Sequence, residues 1–205
     1  MVHSEIQYYT DYHYLRYKKK RMGRLSVFIL LLFCFFSEAS SQSVYLTRSG
    51  TAAFTSNAPL EVIKAKTDQM KGAIDLNDKT FAFTIDNASF KGFNSALQQE
   101  HFYENYMETH LYPTSTFKGK IIEQINMLSD QEQVVRAKGM LEIHGVTQER
   151  IIKGTIRVVK DKILVNAGFT VLLEDHQIKI PKVVNQKIAE AIEVSVSAEL
   201  IKGSE

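Results

Sequence analysis

The chain has 205 residues with 25 Lys+Arg, 23 Asp+Glu and a single cysteine. Six of the basic and three of the acidic residues fall within residues 1–41, which leaves 19 against 20 for the remainder. A nearly neutral domain has no electrostatic footprint for nucleic acid, and the phenylalanines are spread along the chain rather than interleaved with a basic patch.

Residues 1–41 read as a secretory signal peptide. "RYKKKRMGR" places six positive charges between Arg16 and Arg24, "LSVFILLLFCFF" is an apolar run over residues 25–36, and "SEASSQS" is small and polar. This is the order of n-region, h-region and cleavage zone, and the run falls short of the roughly 20 residues that span a bilayer. An N-terminal membrane anchor is the alternative. Met22 opens a complete compact signal, "MGRLSVFILLLFCFFSEAS", so residues 1–21 are a start-site artefact or a long n-region. The cysteine, Cys34, follows Phe33 rather than the small residue a lipidation signal uses. The exported chain, residues 42–205, would hold together without a disulfide.

From about Val44 to Leu200 the pattern is alternation, with about seven to nine strands. "TFAFTID" sets Phe81, Phe83 and Ile85 on one face, "STFKGKIIE" sets Phe117, Gly119 and Ile121, and "AKGMLEIHG" sets Gly139, Leu141 and Ile143. "IKGTIRVV" gives Ile152, Gly154, Ile156 and Val158. "KILVNAGFTVLLE" gives Ile163, Val165, Ala167, Phe169, Val171 and Leu173, and "IEVSVSAEL" gives Ile192, Val194, Val196, Ala198 and Leu200. Turn signals stand between them at "DLNDK", "HGVT" and "VKDK". Two segments break the alternation. "SALQQEHFYENYMET" is helical in composition, and "PKVVNQKIAEA" predicts a short amphipathic helix from Pro181, with Val184, Ile188 and Ile192 at fourfold spacing. The fold expected is all-β, a sandwich or an antiparallel barrel of about eight strands, with one or two short helices. Such a barrel either fills its interior or leaves room for one small ligand, and glycines in the inner set mark bends or close approaches.

Three constellations carry titratable groups. On a helix, His101, Glu104 and Glu108 share a face, which suits zinc or acid–base work. The spacing is not HExxH and no second histidine lies one turn away, so a solvated helix face is preferred. His144 and Glu142 lie on the polar face of one strand with no nucleophile elbow or cysteine to serve, and "HG" reads as a turn with Gly145 at positive φ. Glu174, Asp175 and His176 read as a solvated loop. No phosphate loop, dinucleotide fingerprint or zinc-finger spacing occurs.

"NASFKGFNSALQQEHFYENYMETHLYPTSTFKGKI", followed by "KGMLEIHGVTQ", resembles the YceI-like family of secreted lipid-binding proteins. The resemblance rests on Glu100-His101-Phe102, on Tyr112-Pro113 to Phe117, and above all on Gly139 to Thr147. It covers roughly Gly50 to Leu200, and the chain departs from the pattern in its opening strands, "SGTAAFTSNAPLEVIKAKTDQMKGAIDL". The resemblance implies a lipocalin-like barrel, periplasmic or secreted, that binds an isoprenoid or fatty-acyl lipid and catalyses nothing. No cofactor or metal is expected, and no stable membrane span after cleavage. A homodimer is left open. By strand parity the pocket would be lined by Phe81, Phe83, Ile85, Phe117, Ile121, Leu141, Ile143, Ile156, Val158, Phe169 and Val171, with His101 and Phe102 at its mouth. Two rivals stand beside this reading. One is a hydrolase or metal protein using His101, Glu104, Glu108 and His144. The other is a fully packed barrel acting as a structural, stress-related or protein-interaction domain.

Overall fold

Alternating apolar residues make strands, and strands with one apolar face must close over it. The computed structural model describes residues 44–203; the signal segment expected in residues 1–41 lies outside them. The strands are β1 (Val44–Asn57), β2 (Val62–Asp75), β3 (Thr80–Asp86), β4 (Thr114–Ile121), β5 (Gln133–Ile143), β6 (Val146–Val159), β7 (Lys162–Leu172) and β8 (Ala191–Lys202). Each pairs antiparallel with the next, and β8 returns to β1, so the sheet closes as an eight-stranded barrel. Closure removes the exposed sheet edge that would otherwise invite pairing with another chain.

All three turn signals form hairpins. His144 and Gly145, at φ 51° and 70°, join Ile143 to its partner Val146. Two positive-φ residues give the tight turn whose twist matches the flanking strands. Lys160 and Asp161 join Val159 to Lys162, and residues 76–79 join Asp75 to Thr80.

The opening strands lose their phase at bulges. The β1–β2 register shifts between Thr47 and Gly50 and again between Gly50 and Ala52. The buried set of β1 therefore steps from Tyr45 and Thr47 to Gly50 and Ala52, and that of β2 from Ile63, Ala65 and Thr67 to Met70 and Ile74. An extra residue turns everything after it to the other face.

Between β3 and β4 the chain makes a helical excursion over one end of the barrel. Helix α1 (Ala96–His101) begins at Ser95, whose hydroxyl accepts from the Gln98 amide at 3.1 Å, satisfying a donor the helix cannot. It continues into a π turn, Phe102–Tyr106, closed by the Met107 amide on the Phe102 carbonyl at 2.9 Å. Fully buried Asn87 pins the return. Its backbone amide donates to the Pro113 carbonyl at 2.9 Å and its side-chain amide to the Tyr112 carbonyl at 2.8 Å, while it accepts from the Ser115 hydroxyl at 2.8 Å.

The second helix expected, from Pro181, is one 3-10 turn, Lys182–Val184, and Ile192 already belongs to β8. The segment is held by its neighbour instead. The Leu60 amide donates to the Gln186 carbonyl at 2.9 Å, and the Ala189 amide to the Ser56 hydroxyl at 2.8 Å. The stretch read as a solvated loop is also different. His176 closes a 3-10 turn, Glu174–His176, fully buried, with Nδ1 donating to the Val146 carbonyl at 3.1 Å. This turn fills the space where β6 and β7 diverge, because their pairing runs from Val159 and Lys162 only as far as Gly154 and Ala167.

The end of the barrel away from α1 is closed. Val158, Ile163 and Leu200 are cross-strand neighbours on β6, β7 and β8, all buried. Ile163 and Leu200 belong to the cluster that also contains Tyr45, Ile74 and Phe81.

Candidate functional site

The inward faces do not meet. They enclose a cavity of about 560 Å³, inside the range of about 300–1,000 Å³ that holds small-molecule ligands. Its wall includes Phe81, Phe83 and Ile85 of β3, Phe117 and Ile121 of β4, Leu141 and Ile143 of β5, Ile156 of β6, and Phe169 and Val171 of β7. Val158 stands apart from them. It is buried in the row that seals the closed end, one inward step below Ile156. His101 and Phe102 also stand on the wall, at the helical end.

Other wall residues had no signal in the alternation. Ala52, Phe54 and Ser56 of β1 and Ile63, Met70 and Ile74 of β2 line the cavity, hidden by the bulges. Phe90 and Phe93 come from the β3–α1 connection, and Ile178, Val184 and Ile188 from the β7–β8 connection. The pair in "SFKGF" just before the helix and the fourfold spacing of Val184 and Ile188 were the available hints. The phenylalanine rings stack across part of the helical end. Phe54 packs on Phe102 with centroids 5.3 Å apart and 21° between planes, and on Phe90 at 5.4 Å; Phe93 packs on Phe102 at 5.0 Å. Deeper in, Phe81 meets Phe117 at 4.8 Å. Phe83 lies over its strand partner Gly72, where a Cβ would come within 2.1 Å of the ring.

Polar groups gather where the cavity meets solvent. Glu61 lies on the wall, and its carboxylate accepts from the side-chain amides of Gln98 at 3.0 Å and Asn94 at 3.3 Å. His101 and Lys187 stand on the same rim. Burial pushes the Tyr106 phenol above its ordinary pKa, so this wall residue stays neutral at physiological pH. The arrangement is an apolar chamber with a polar margin, suited to a molecule that is mostly hydrocarbon.

Residues 45–200 match the YceI-like domain. The chain belongs to the YceI-like family. Among solved structures, a polyisoprenoid binding domain from Saccharophagus degradans is similar over 79% of this chain and 99% of its own, with 14% identity and a TM-score of 0.67. Burkholderia cenocepacia BcnA is similar over 75% and 96%, with 12% identity and a TM-score of 0.61. The YceI protein of Campylobacter jejuni is similar over 69% and 85%, with 17% identity and a TM-score of 0.55. At these identities the likeness is one of fold. No curated protein matches the chain.

In this YceI-like barrel the constellation considered for metal or catalysis does not assemble. Glu108 and His144 meet, with Nε2 2.7 Å from the carboxylate. His101 belongs to the cavity rim, and Glu104 is exposed. Among the described residues no group of three or more His, Cys, Asp or Glu could hold a metal ion. The His144 ring also places Nδ1 3.2 Å from the His176 carbonyl. Both partners are acceptors, so both bonds are complete only in the doubly protonated ring. With Tyr112 packed edge-on at 4.5 Å, this pair ties the β5–β6 hairpin tip to the helical excursion.

Proposed function

We propose that the chain is an extracytoplasmic carrier that holds a single isoprenoid or other lipid chain inside its barrel. The observation that carries this reading is the cavity of about 560 Å³ walled by Phe, Ile, Leu and Val within a closed sheet. It favours a carrier over a packed barrel, which would leave no such space. Taking a methylene as about the size of a water, at about 30 Å³, the chamber has room for roughly twenty carbons. Each methylene removed from water contributes about 0.8 kcal/mol, so retention needs no covalent or metal chemistry. The wall residues Phe81, Phe83, Ile85, Phe117, Ile121, Leu141, Ile143, Ile156, Phe169 and Val171 would contact the chain, with His101 and Phe102 near its outer end. The leader in residues 1–41 and the membership in the family support a periplasmic or secreted location.

Native mass spectrometry on the protein purified from its own cell envelope tests the reading. A discrete added mass of lipid size, lost on solvent extraction, is expected. A bare chain that takes up no apolar probe would overturn it.

A further inference from the structure

The cavity mouth is bordered by aliphatic side chains that point at solvent. Val183 is 88% exposed, Leu60 67% and Leu97 59%. They come from three segments that are bonded together. The Leu60 amide donates to the Gln186 carbonyl in the β7–β8 connection, and Glu61 accepts from Gln98 of α1. Leu97, Val184 and Lys187 are at once rim and cavity wall, so the apolar border is continuous with the chamber.

The stretch of the β7–β8 connection that holds Val183 carries charge of one sign, while the carboxylate on the rim, Glu61, is engaged by Gln98 and Asn94. Residues 179–187 read "KIPKVVNQK", with three lysines and no acid. The far end of the barrel provides the contrast. Its β4–β5 loop also exposes an aliphatic, Leu128, but residues 122–133 read "IEQINMLSDQEQ", with three acids and no lysine. Exposed aliphatics flanked by lysines suit the interface of an anionic bilayer, whereas the same side chains among carboxylates are repelled from it.

We propose that this rim is a membrane-docking face, with Val183, Leu60 and Leu97 entering the headgroup region of an anionic lipid surface and Lys182 on its phosphates, so that the barrel mouth opens onto the bilayer. The carrier reading gives the face its purpose, since a water-insoluble chain must be collected from a lipid surface. The face itself stands on its own residues.

Sedimentation with vesicles tests it, using the exported protein, its N-terminus checked by intact mass. The protein should sediment with phosphatidylcholine vesicles containing phosphatidylglycerol, and much less with phosphatidylcholine alone. Lys182→Glu, and separately the double variant Leu60→Glu with Val183→Glu, should each weaken the binding about tenfold. Neither variant touches the cavity wall, so uptake of N-phenyl-1-naphthylamine in solution should be unchanged. Absence of sedimentation, as for a face that binds another protein, overturns the proposal. So does full binding by both variants, or equal binding to neutral vesicles. Vesicle binding without probe uptake would instead remove the carrier reading and leave the docking face standing.

Discussion

Arg150 of β6 reaches across to β7 and donates from Nη2 to the Thr170 carbonyl at 2.8 Å, where the two strands have stopped pairing. Beyond Gly154 and Ala167 each strand keeps only its other neighbour, β6 on β5 as far as Val146 and β7 on β8 as far as Leu172. Side chains take over the join. Gln148 donates to the Asp175 carbonyl at 2.9 Å, and Arg150 Nη1 lies 3.6 Å from the Asp175 carboxylate. Along this seam a backbone ladder has been replaced by a few partly exposed contacts.

Arg150→Ala should therefore loosen the seam without unfolding the barrel. The expected loss is about 1 kcal/mol, the low end for a hydrogen bond from a charged group that water partly screens. Amide exchange in residues 168–172 should rise while that of β2 stays constant. Equal protection in variant and parent would show that the 3-10 turn Glu174–His176 alone holds the join.

Gly119 and Gly139 are partners across β4 and β5. A Cβ on Gly119 would meet the Lys138 carbonyl oxygen at 2.1 Å and the Gly139 Cα at 2.5 Å. Both are backbone atoms that no rotamer change can move. Gly119→Ala should cost about 3 kcal/mol, the upper range for overpacking. At Gly168 the nearest atom to a Cβ is 3.9 Å away, so Gly168→Ala should lie within about 0.5 kcal/mol of the parent or stabilise it. Urea unfolding of the two variants gives the comparison directly, and equal midpoints would refute the close-approach argument.

The cavity wall and the core beneath it should respond differently to substitution. Phe83 and Leu141 line the chamber, while Val158 is buried at its closed end. A charge at Phe83 or Leu141 places an unpaired ion against hydrocarbon, so Phe83→Asp or Leu141→Asp should abolish lipid retention. Val158→Ala should cost about 2 kcal/mol of stability and leave lipid stoichiometry alone. Unchanged stoichiometry in a folded Phe83 or Leu141 variant would sink the assignment of these residues to the pocket.

The strands from β3 onward were legible because their alternation is uninterrupted and their turns are written in Asp, Asn and Gly. One parity then orients every residue of a strand, which is why Phe81 to Ile85 and Ile163 to Val171 could be read. The first two strands were not legible, since the bulges beside Gly50 and Met70 reverse the phase midway. Local pattern also misled in two places. Val184 and Ile188 have helical spacing, yet the backbone beside them, at Gln186 and Ala189, is held by Leu60 and Ser56, residues distant in sequence. His176 looked solvated among Glu174 and Asp175, yet it fills the gap between β6 and β7, which only the register reveals. The cavity was illegible for a related reason. Whether inward side chains meet depends on barrel diameter and on the aromatic stack contributed by Phe90, Phe93 and Phe102, not on the period of any strand.

Glu123 provides a pH-dependent test at the closed end, remote from the mouth. Its carboxylate accepts from the Arg136 amide at 2.6 Å and from Arg136 Nε at 2.7 Å. The backbone bond, followed by the side-chain bond, holds this carboxyl below the usual glutamate range. Because the folded value lies below the unfolded one, the stabilisation is fully present above the unfolded pKa of about 4.3 and is lost as pH falls through the depressed folded value. Glu123→Gln should therefore be less stable than the parent at neutral pH, with the difference closing in acid. An NMR titration of the Glu123 carboxyl checks the premise, and an ordinary midpoint would contradict it. Since the clip joins the β4–β5 loop to the exposed side of β5, away from the cavity wall, lipid retention at neutral pH should be the same in both proteins. A loss of lipid in Glu123→Gln would mean that the closed end opens too, and that the chamber has a second way out.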